Sequence, residues 1–237
     1  MYRFRIELAG TVAEVDALYE SSRNLCKDYL TSKPAELYIS VTKDDLEKEH
    51  RLSSTVDLSE QNLEYLALYR KLSTALACND TVLVHGSCIS VDGQAYLFCA
   101  PSGTGKSTHT GLWRQYLGDR AVMINDDKPL LRVINDSVMI YGTPWNGKHH
   151  LGYNLSAPLK AICFLDRGKK NAIERTAKDD IFPLLIRYVF RPELPADMNN
   201  VLGTASRIAD KCDFWSLKCD ISQEAAKVSY TAMSAES

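Results

Sequence analysis

The sequence lacks long hydrophobic runs, a signal-peptide pattern and internal repeats. Apolar stretches such as residues 95–100 (AYLFCA) are far shorter than the ~20 residues that a membrane-spanning helix needs. Arg3, Arg5 and Glu7 interrupt the opening residues, where a secretory signal would be apolar. We therefore expect a chain that neither spans a membrane nor carries such a signal.

Neither an excess of one charge nor a cysteine framework is present. The 28 Lys and Arg against 30 Asp and Glu give a net charge of -2, which does not favour nucleic acid or an anionic membrane as a partner. The seven cysteines include no C-x-x-C pair, which argues against a disulfide or zinc framework. Cys88, Cys99 and Cys163 lie in apolar segments, as reduced thiols commonly do. We expect a cytoplasmic protein.

The adjacent histidines at 149 and 150 lack a second ligand pair, so solvated loop residues are expected there rather than a metal site.

The first 80 residues of the 237 have mixed strand and helix patterns. Residues 2–8 (YRFRIEL) alternate as a strand, and residues 11–14 (TVAE) have the form of a capping box that begins a helix. One face of that helix would hold Val15, Leu18, Tyr19, Ser22 and Cys26. Residues 36–41 (ELYISV) predict a strand, with Leu37, Ile39 and Val41 on one side. Ser59 is expected to cap a helix whose buried stripe is Tyr65, Leu68, Tyr69, Leu72 and Leu76.

The middle of the chain predicts a hairpin that leads into a glycine-rich loop. Asp92-Gly93 joins two β-branched and aromatic runs, a strong signal for a primed turn. After the loop we expect a helix ending near Gly118 and a strand at 121–124 (AVMI). The later expectations are strands at 137–142, 160–165 and 214–219, a loop at 143–158, and helices at 181–190, 196–211 and 222–233.

The glycine-rich loop, residues 100–107, fits the pattern A/G-x-x-x-x-G-K-S/T. Gly103 and Gly105 let successive N–H groups point inward at phosphate oxygens, and the following helix adds the positive end of its dipole. Lys106 would reach the β- and γ-phosphates, and the Ser107 hydroxyl would ligate Mg²⁺. The sequence thus predicts a nucleotide site for ATP and Mg²⁺. The residues assigned to nucleotide binding are Ala100, Ser102, Gly103, Thr104, Gly105, Lys106, Ser107 and Thr108.

An acidic pair, Asp126-Asp127, follows the strand after this loop. A carboxylate at such a strand end is suited to hold the metal of a bound nucleotide. Neighbouring side chains of an extended strand point in opposite directions. One acid can therefore serve the metal while the other faces an incoming nucleophile. The alternative is a solvated turn made of ordinary turn-forming residues.

His85 precedes the glycine-rich loop by one arm of the predicted hairpin. Its strand would pair with the strand that feeds the loop, which would place the imidazole near the γ-phosphate. A structural histidine in the core or at a strand end fits the pattern equally well.

Residues 82–129, with His85, SGTGKS and the aspartate pair, resemble the catalytic core of HPr kinase/phosphorylase. That family is related to ATP-dependent phosphoenolpyruvate carboxykinase. The resemblance implies an α/β fold: a mixed β-sheet P-loop core forming the catalytic domain at residues 81–237, with a small α/β N-terminal region at residues 1–80. It also allows an assembly of identical chains.

The resemblance further implies roles for the site residues. Asp127 would be the general base on a substrate hydroxyl, and Asp126 would hold Mg²⁺ together with Ser107. Lys106 would stabilise the phosphates, and His85 would tune the charge near Asp127 or contact the transferred group. The glycine-rich signature that HPr kinases carry after the aspartates is replaced by GTPWNGKHH, and the N-terminal region is short, so HPr itself is not the expected substrate.

The leading hypothesis is a kinase that acts on a hydroxyl, namely Ser or Thr of a small protein or peptide. Two alternatives stay open: a small-metabolite kinase with the same site, and a nucleotide-binding sensor without catalysis. The loop at 144–154 is expected to be either an exposed lid or a connector, and the run DRGKK at 166–170 a solvated turn.

Overall fold

A computed structural model describes residues 1–53, 58–147 and 151–235 as a mixed α/β structure. The strands in this part of the chain are β1 (Tyr2–Leu8), β2 (Thr11–Ala17), β3 (Leu37–Ser40), β4 (Thr81–Leu83), β5 (Ser87–Val91), β6 (Gln94–Cys99), β7 (Ala121–Asn125), β8 (Leu130–Ile134), β9 (Ser137–Tyr141), β10 (Ser156–Arg167), β11 (Ala172–Arg175) and β12 (Asp213–Cys219). The helices are α1 (Glu20–Leu25), α2 (Lys43–Leu52), α3 (Glu60–Leu76), α4 (Lys106–Leu117), α5 (Lys178–Leu185), α6 (Pro195–Lys211) and α7 (Gln223–Ser234). Among the described residues, no helix has the length and apolar character needed to cross a membrane.

The N-terminal sheet has the order β1-β2-β3 and corrects one prediction. Residues 11–14 do not begin a helix, because they form the start of β2, which pairs antiparallel with β1. Ala9 and Gly10 have φ angles of 50° and 75°, so they form a tight turn that returns the chain at once. The helix is consequently confined to α1, and Val15 is buried on a strand rather than on a helix face.

Helix α3 packs against β3 and α2, and the caps of α2 and α3 differ in how well they were predicted. The Ser59 hydroxyl accepts a hydrogen bond from the backbone N–H of Asn62 at 3.3 Å, which confirms the predicted cap of α3. The predicted stripe of α3 is buried except for Tyr65, which is half-buried. Helix α2 was not predicted; it begins with a capping box in which Thr42 and Asp45 bond each other's backbone N–H groups.

Nine strands of the described chain form the second sheet, which begins at β4. Its predicted hairpin is confirmed: β5 and β6 pair antiparallel around Asp92 and Gly93, whose φ angles are 50° and 82°. Leu72 of α3 and Leu130 of β8 belong to one apolar cluster that joins the two sheets. The division into two domains near residue 80 stays a prediction.

The later elements mostly agree with the sequence analysis but differ at their ends. Strand β10 begins at Ser156, inside the predicted loop, and α5 ends at Leu185 rather than at residue 190. Strands β8 and β11 were not predicted. The expected free thiols are found: Cys88, Cys99 and Cys163 are buried and unpaired.

The directions of the strands bring the ends of five of them to one edge of the nine-stranded sheet. Strands β6 and β12 both pair parallel with the same stretch of β10, so they lie on its opposite sides. Strand β5 is antiparallel to both β6 and β7, which makes β7 parallel to β6. The carboxyl ends of β6, β7, β10 and β12 and the amino end of β5 therefore share one edge. Their order across it is β7-β5-β6-β10-β12.

The core beneath this edge contains a buried histidine. His109 of α4 is 2% exposed, packs edge-on against Phe98, and lies 3.0 Å from the Ser229 hydroxyl through its Nε2 atom. Burial lowers the pKa of His109 to about 4, because the charged imidazolium loses its solvation there.

We expect the stability of the protein to fall as the pH falls from about 6.5 toward 4, because the unfolded chain binds a proton at position 109 that the folded chain excludes. The full loss is about 3 kcal/mol, since a tenfold difference in proton affinity is worth about 1.4 kcal/mol. Urea unfolding at pH 7 and pH 4.5 measures most of this loss, which becomes complete only below pH 4. The difference in the free energy of unfolding between pH 7 and pH 4.5 should shrink in His109→Gln. In the control His50→Gln, which replaces an exposed histidine, the difference should equal that of the wild type. An equal pH difference in the free energy of unfolding for all three proteins would contradict the expectation.

Candidate active site

The glycine-rich loop connects β6 to α4 at the shared edge of the sheet. Gly103 and Gly105 have φ angles of 75° and 121°, which only glycine adopts without strain. The Thr104 N–H donates to the Pro101 carbonyl at 3.2 Å, so the loop curls tightly before the helix begins. The first backbone N–H groups of a helix have no intrahelical acceptors. The loop and α4 thus present backbone donors at the edge, as an anion site requires.

Lys106, the first residue of α4, lies across the inside of this loop. Its side chain is buried, and Nζ donates to the Ala100 carbonyl at 2.9 Å and to the Pro101 carbonyl at 3.4 Å. Burial lowers the pKa of Lys106, because the ammonium is partly desolvated. The ammonium is already positioned inside the loop, where phosphate oxygens can replace carbonyl oxygens as its partners.

Asp126 follows β7 and is 4% exposed, with its two carboxylate oxygens in different surroundings. Oδ1 accepts a hydrogen bond from the Ser87 hydroxyl at 2.9 Å, and that hydroxyl lies 3.0 Å from the hydroxyl of Thr110 on α4. Oδ2 is buried with no hydrogen-bond partner among the described residues. The backbone of Gly147 closes over it, since a Cβ there would lie 3.1 Å from Oδ2.

This orphan oxygen tests whether Mg²⁺ fits the site. A buried carboxylate oxygen without a partner is costly, and carboxylate oxygens are preferred ligands of Mg²⁺. The described residues contain no cluster of three or more His, Cys, Asp or Glu side chains, so a protein-only metal cage is absent from this part of the chain. Asp126 and the exposed Ser107 hydroxyl fit an ion that takes its other ligands from phosphates and water.

Asp127 has a different environment from its neighbour. Its side chain is 24% exposed, its Oδ1 lies 3.9 Å from Nδ1 of His85, and its Oδ2 accepts from the ammonium of Lys128. The same ammonium lies 5.5 Å from the ring centre of Tyr69 on α3. Both acids lie in the bend after β7 rather than in the strand, and their surroundings differ: Asp126 is buried and Asp127 is partly exposed.

His85 lies at the shared edge, but not on the predicted hairpin arm. It stands between β4 and β5, two residues before β5 begins, and its N–H donates to the Tyr188 carbonyl at 2.7 Å. The next residue is Gly86, where a side chain has no room because a Cβ would lie 2.6 Å from the Leu97 side chain. Burial, followed by the charge of Lys106, lowers the pKa of His85, so the imidazole is neutral at pH 7.

Asn125, which the sequence analysis did not single out, sets the position of the acidic pair. Its side chain is fully buried, and Oδ1 accepts from the backbone N–H groups of Asp127 at 2.9 Å and Lys128 at 2.7 Å. Its Nδ2 donates to the hydroxyl of Thr143 at 3.1 Å. An Asn before two acids is a recognisable turn signal, and it marks the residue that fixes this turn.

We expect Asn125→Ala to lower the free energy of unfolding by about 2–4 kcal/mol, because it removes these bonds and leaves buried backbone groups unpaired. Denaturant unfolding monitored by tryptophan fluorescence measures the change. The matched control is Asn154→Ala, which removes one exposed bond to the Asp28 carbonyl and should cost less than about 1 kcal/mol. Similar losses in the two variants would show that Asn125 does not have this role.

Arg167 at the end of β10 is a second residue that the sequence analysis missed. The run at 166–170 was predicted to be a solvated turn, but Arg167 donates to the Gly103 carbonyl, and its Nε donates to the Thr104 carbonyl at 3.4 Å. These bonds arise because β10 lies beside β6, which places its carboxyl end next to the glycine-rich loop. Holding the carbonyls outward favours N–H groups that point inward.

The predicted loop at 144–154 is only partly exposed. Trp145 is 8% exposed and packs edge-on against Tyr69, with ring centres 6.1 Å apart, because it fills the apolar cluster beneath α3. Lys148, His149 and His150 lie outside the described residues. Of the residues assigned to nucleotide binding, Ser102, Ser107 and Thr108 are exposed at the loop, whereas Ala100 is buried beneath it.

Comparisons with known proteins give little further guidance. No family model matches the chain, and no curated protein matches it. One solved structure that does match is the HPr(Ser) kinase/phosphatase from Coxiella burnetii, at 9% sequence identity and a TM-score of 0.35, with 65% of this chain and 99% of that chain covered. This likeness is distant.

Proposed function

We propose that the protein is an ATP- and Mg²⁺-dependent kinase that transfers the γ-phosphoryl group to a hydroxyl. The observation that carries this proposal is the divergence of the acidic pair beside the glycine-rich loop. Asp126 is buried with an orphan oxygen, while Asp127 is partly exposed next to His85. Nucleotide binding without phosphoryl transfer would use Asp126 but would give no role to Asp127.

The donor half of the site consists of the glycine-rich loop and α4. Backbone N–H groups and the dipole of α4 would bind the phosphates, and Lys106 would neutralise charge on the β- and γ-phosphates. Asp126 and Ser107 would hold Mg²⁺, which when bound supplies further charge neutralisation at the phosphates. Arg167 would keep the loop carbonyls turned away from the nucleotide.

The transfer step uses Asp127 as the base. The acceptor oxygen forms a bond to the γ-phosphorus while the bond from that phosphorus to the β–γ bridging oxygen breaks, and ADP leaves. The acceptor proton goes to the carboxylate of Asp127. Because phosphoryl transfer has a loose transition state, an ordinary carboxylate is a sufficient base when it is well positioned. The contact with the ammonium of Lys128 holds the carboxylate in place.

The acceptor we propose is a Ser or Thr hydroxyl of a small protein or peptide. The solvent-reachable position of Asp127 supports an acceptor that approaches from outside rather than one enclosed by the chain. A small metabolite remains the second candidate for the same chemistry. A sensor that binds ATP without transfer is the third candidate, and it would give no role to the partly exposed carboxylate of Asp127.

The test is transfer of label from [γ-³²P]ATP, with Mg²⁺, to separate protein and small-molecule fractions of a lysate of the source cell. We expect one labelled species in the protein fraction, and none when EDTA is present. Label in the small-molecule fraction alone would show that the acceptor is a metabolite rather than a protein or peptide. Tight ATP binding without transfer to either fraction would contradict a kinase.

A further inference from the structure

The order of strands across the shared edge fixes which way a bound nucleotide points. This argument rests on the proposed function. The acids of the transfer site follow β7, on one side of β6 and its glycine-rich loop. Strands β10 and β12 lie on the other side of β6. With the γ-phosphate facing Asp127, a nucleotide that lies along this edge extends its α-phosphate and nucleoside toward β10 and β12.

A cavity of about 350 Å³ lies on that side. It is lined on one side by the glycine-rich loop and the first turns of α4, including Thr108 and Leu112. Its far wall is the chain that leaves β10 and β12, including Gly168 and Ile221. The volume is within the roughly 300–1,000 Å³ that is usual for small-molecule sites.

We infer that this cavity binds the base and ribose of the nucleotide. Leu112, Leu165 and Ile221 offer apolar surface against which a planar base can pack. Asp220 offers a carboxylate that can accept hydrogen bonds from ribose hydroxyls. The side chain of Arg167 lines this cavity and also donates to the Gly103 carbonyl, so it lies where the cavity meets the phosphate loop.

Ile221 is the residue that makes the inference testable. It is 80% exposed at the rim of the cavity, so replacing it does not disturb the core. An exposed isoleucine beside a cavity gains from burial against a base, and a polar residue of similar size does not. Leu194, 65% exposed at the start of α6, is a matched apolar residue away from this cavity.

The experiment compares the affinities of MgATP and of magnesium tripolyphosphate, which has the phosphates but no nucleoside. In the wild type, MgATP should bind at least about tenfold more tightly. Ile221→Asn should weaken MgATP binding by about five- to tenfold and leave tripolyphosphate binding unchanged. Leu194→Asn should change neither affinity.

Two results would overturn the inference while leaving the phosphate site intact: equal affinities for the two probes in the wild type, or equal weakening of both probes by Ile221→Asn. A wild type that binds neither probe would contradict the proposed function, and the inference with it. Each outcome is measured by isothermal titration calorimetry on the full chain.

Discussion

Replacing Asp127 by asparagine is expected to slow phosphoryl transfer by about 10²–10⁴-fold, the range typical for loss of a general base. The amide has nearly the same shape as the carboxylate but cannot accept the acceptor's proton. The turn is held by Asn125 through the backbone of Asp127, and these bonds do not depend on the side chain at 127. MgATP binding should therefore stay within about threefold of the wild type, as expected when an interaction made only in the transition state is lost.

Single-turnover rates with [γ-³²P]ATP, together with the dissociation constant of MgATP, measure this split. The control is Asp136→Asn, which removes an exposed carboxylate paired with Lys211 and should leave both quantities unchanged. Transfer by Asp127→Asn at the rate of the wild type would show that Asp127 is not the base. A parallel loss of MgATP binding would instead assign Asp127 to the nucleotide.

Replacing Lys106 by alanine should damage binding and transfer together. Hydrogen bonds to a charged group are worth about 1.5–3 kcal/mol each, so losing the bonds of one ammonium to two phosphates weakens MgATP binding by about 10²-fold or more. The variant also removes the bond to the Ala100 carbonyl that now spans the loop. The rate of transfer should fall by a larger factor than the affinity for MgATP. The reason is that Lys106 also stabilises the negative charge that is redistributed in the transition state.

The comparison for this variant is Lys33→Ala, whose side chain is 61% exposed and pairs with Glu7 of the N-terminal sheet. Calorimetry and single-turnover transfer on both variants separate the local effect from a general loss of positive charge. Binding of MgATP by Lys106→Ala as tight as that by Lys33→Ala would remove Lys106 from the phosphate site.

The sequence was informative where local chemistry determines structure. Asp92-Gly93 determines a hairpin turn because its backbone needs positive φ angles, and the glycines at 103 and 105 do the same for the loop. The run at 11–17 was misread because the turn before it uses Ala9 rather than Asn or Asp. Without that turn signal, a β-branched run with a Thr-x-x-Glu pattern predicts a helix start.

The arrangement of the site depended on contacts that no local pattern contains. Arg167 reaches the glycine-rich loop because β10 pairs with β6, strands about 60 residues apart in the chain. Asp126 is buried because Ser87 and Gly147 enclose it from two distant segments. The sequence could propose that the two acids differ in role, but their different exposure follows from the order of the strands.

The most direct measurement is a crystal structure with Mg²⁺ and an ATP analogue that cannot transfer its γ-phosphoryl group. We predict phosphates inside the glycine-rich loop, Mg²⁺ on Oδ2 of Asp126 and the hydroxyl of Ser107, and the γ-phosphate facing Asp127. A nucleotide bound elsewhere, or one whose γ-phosphate points away from Asp127 toward β12, would contradict this prediction.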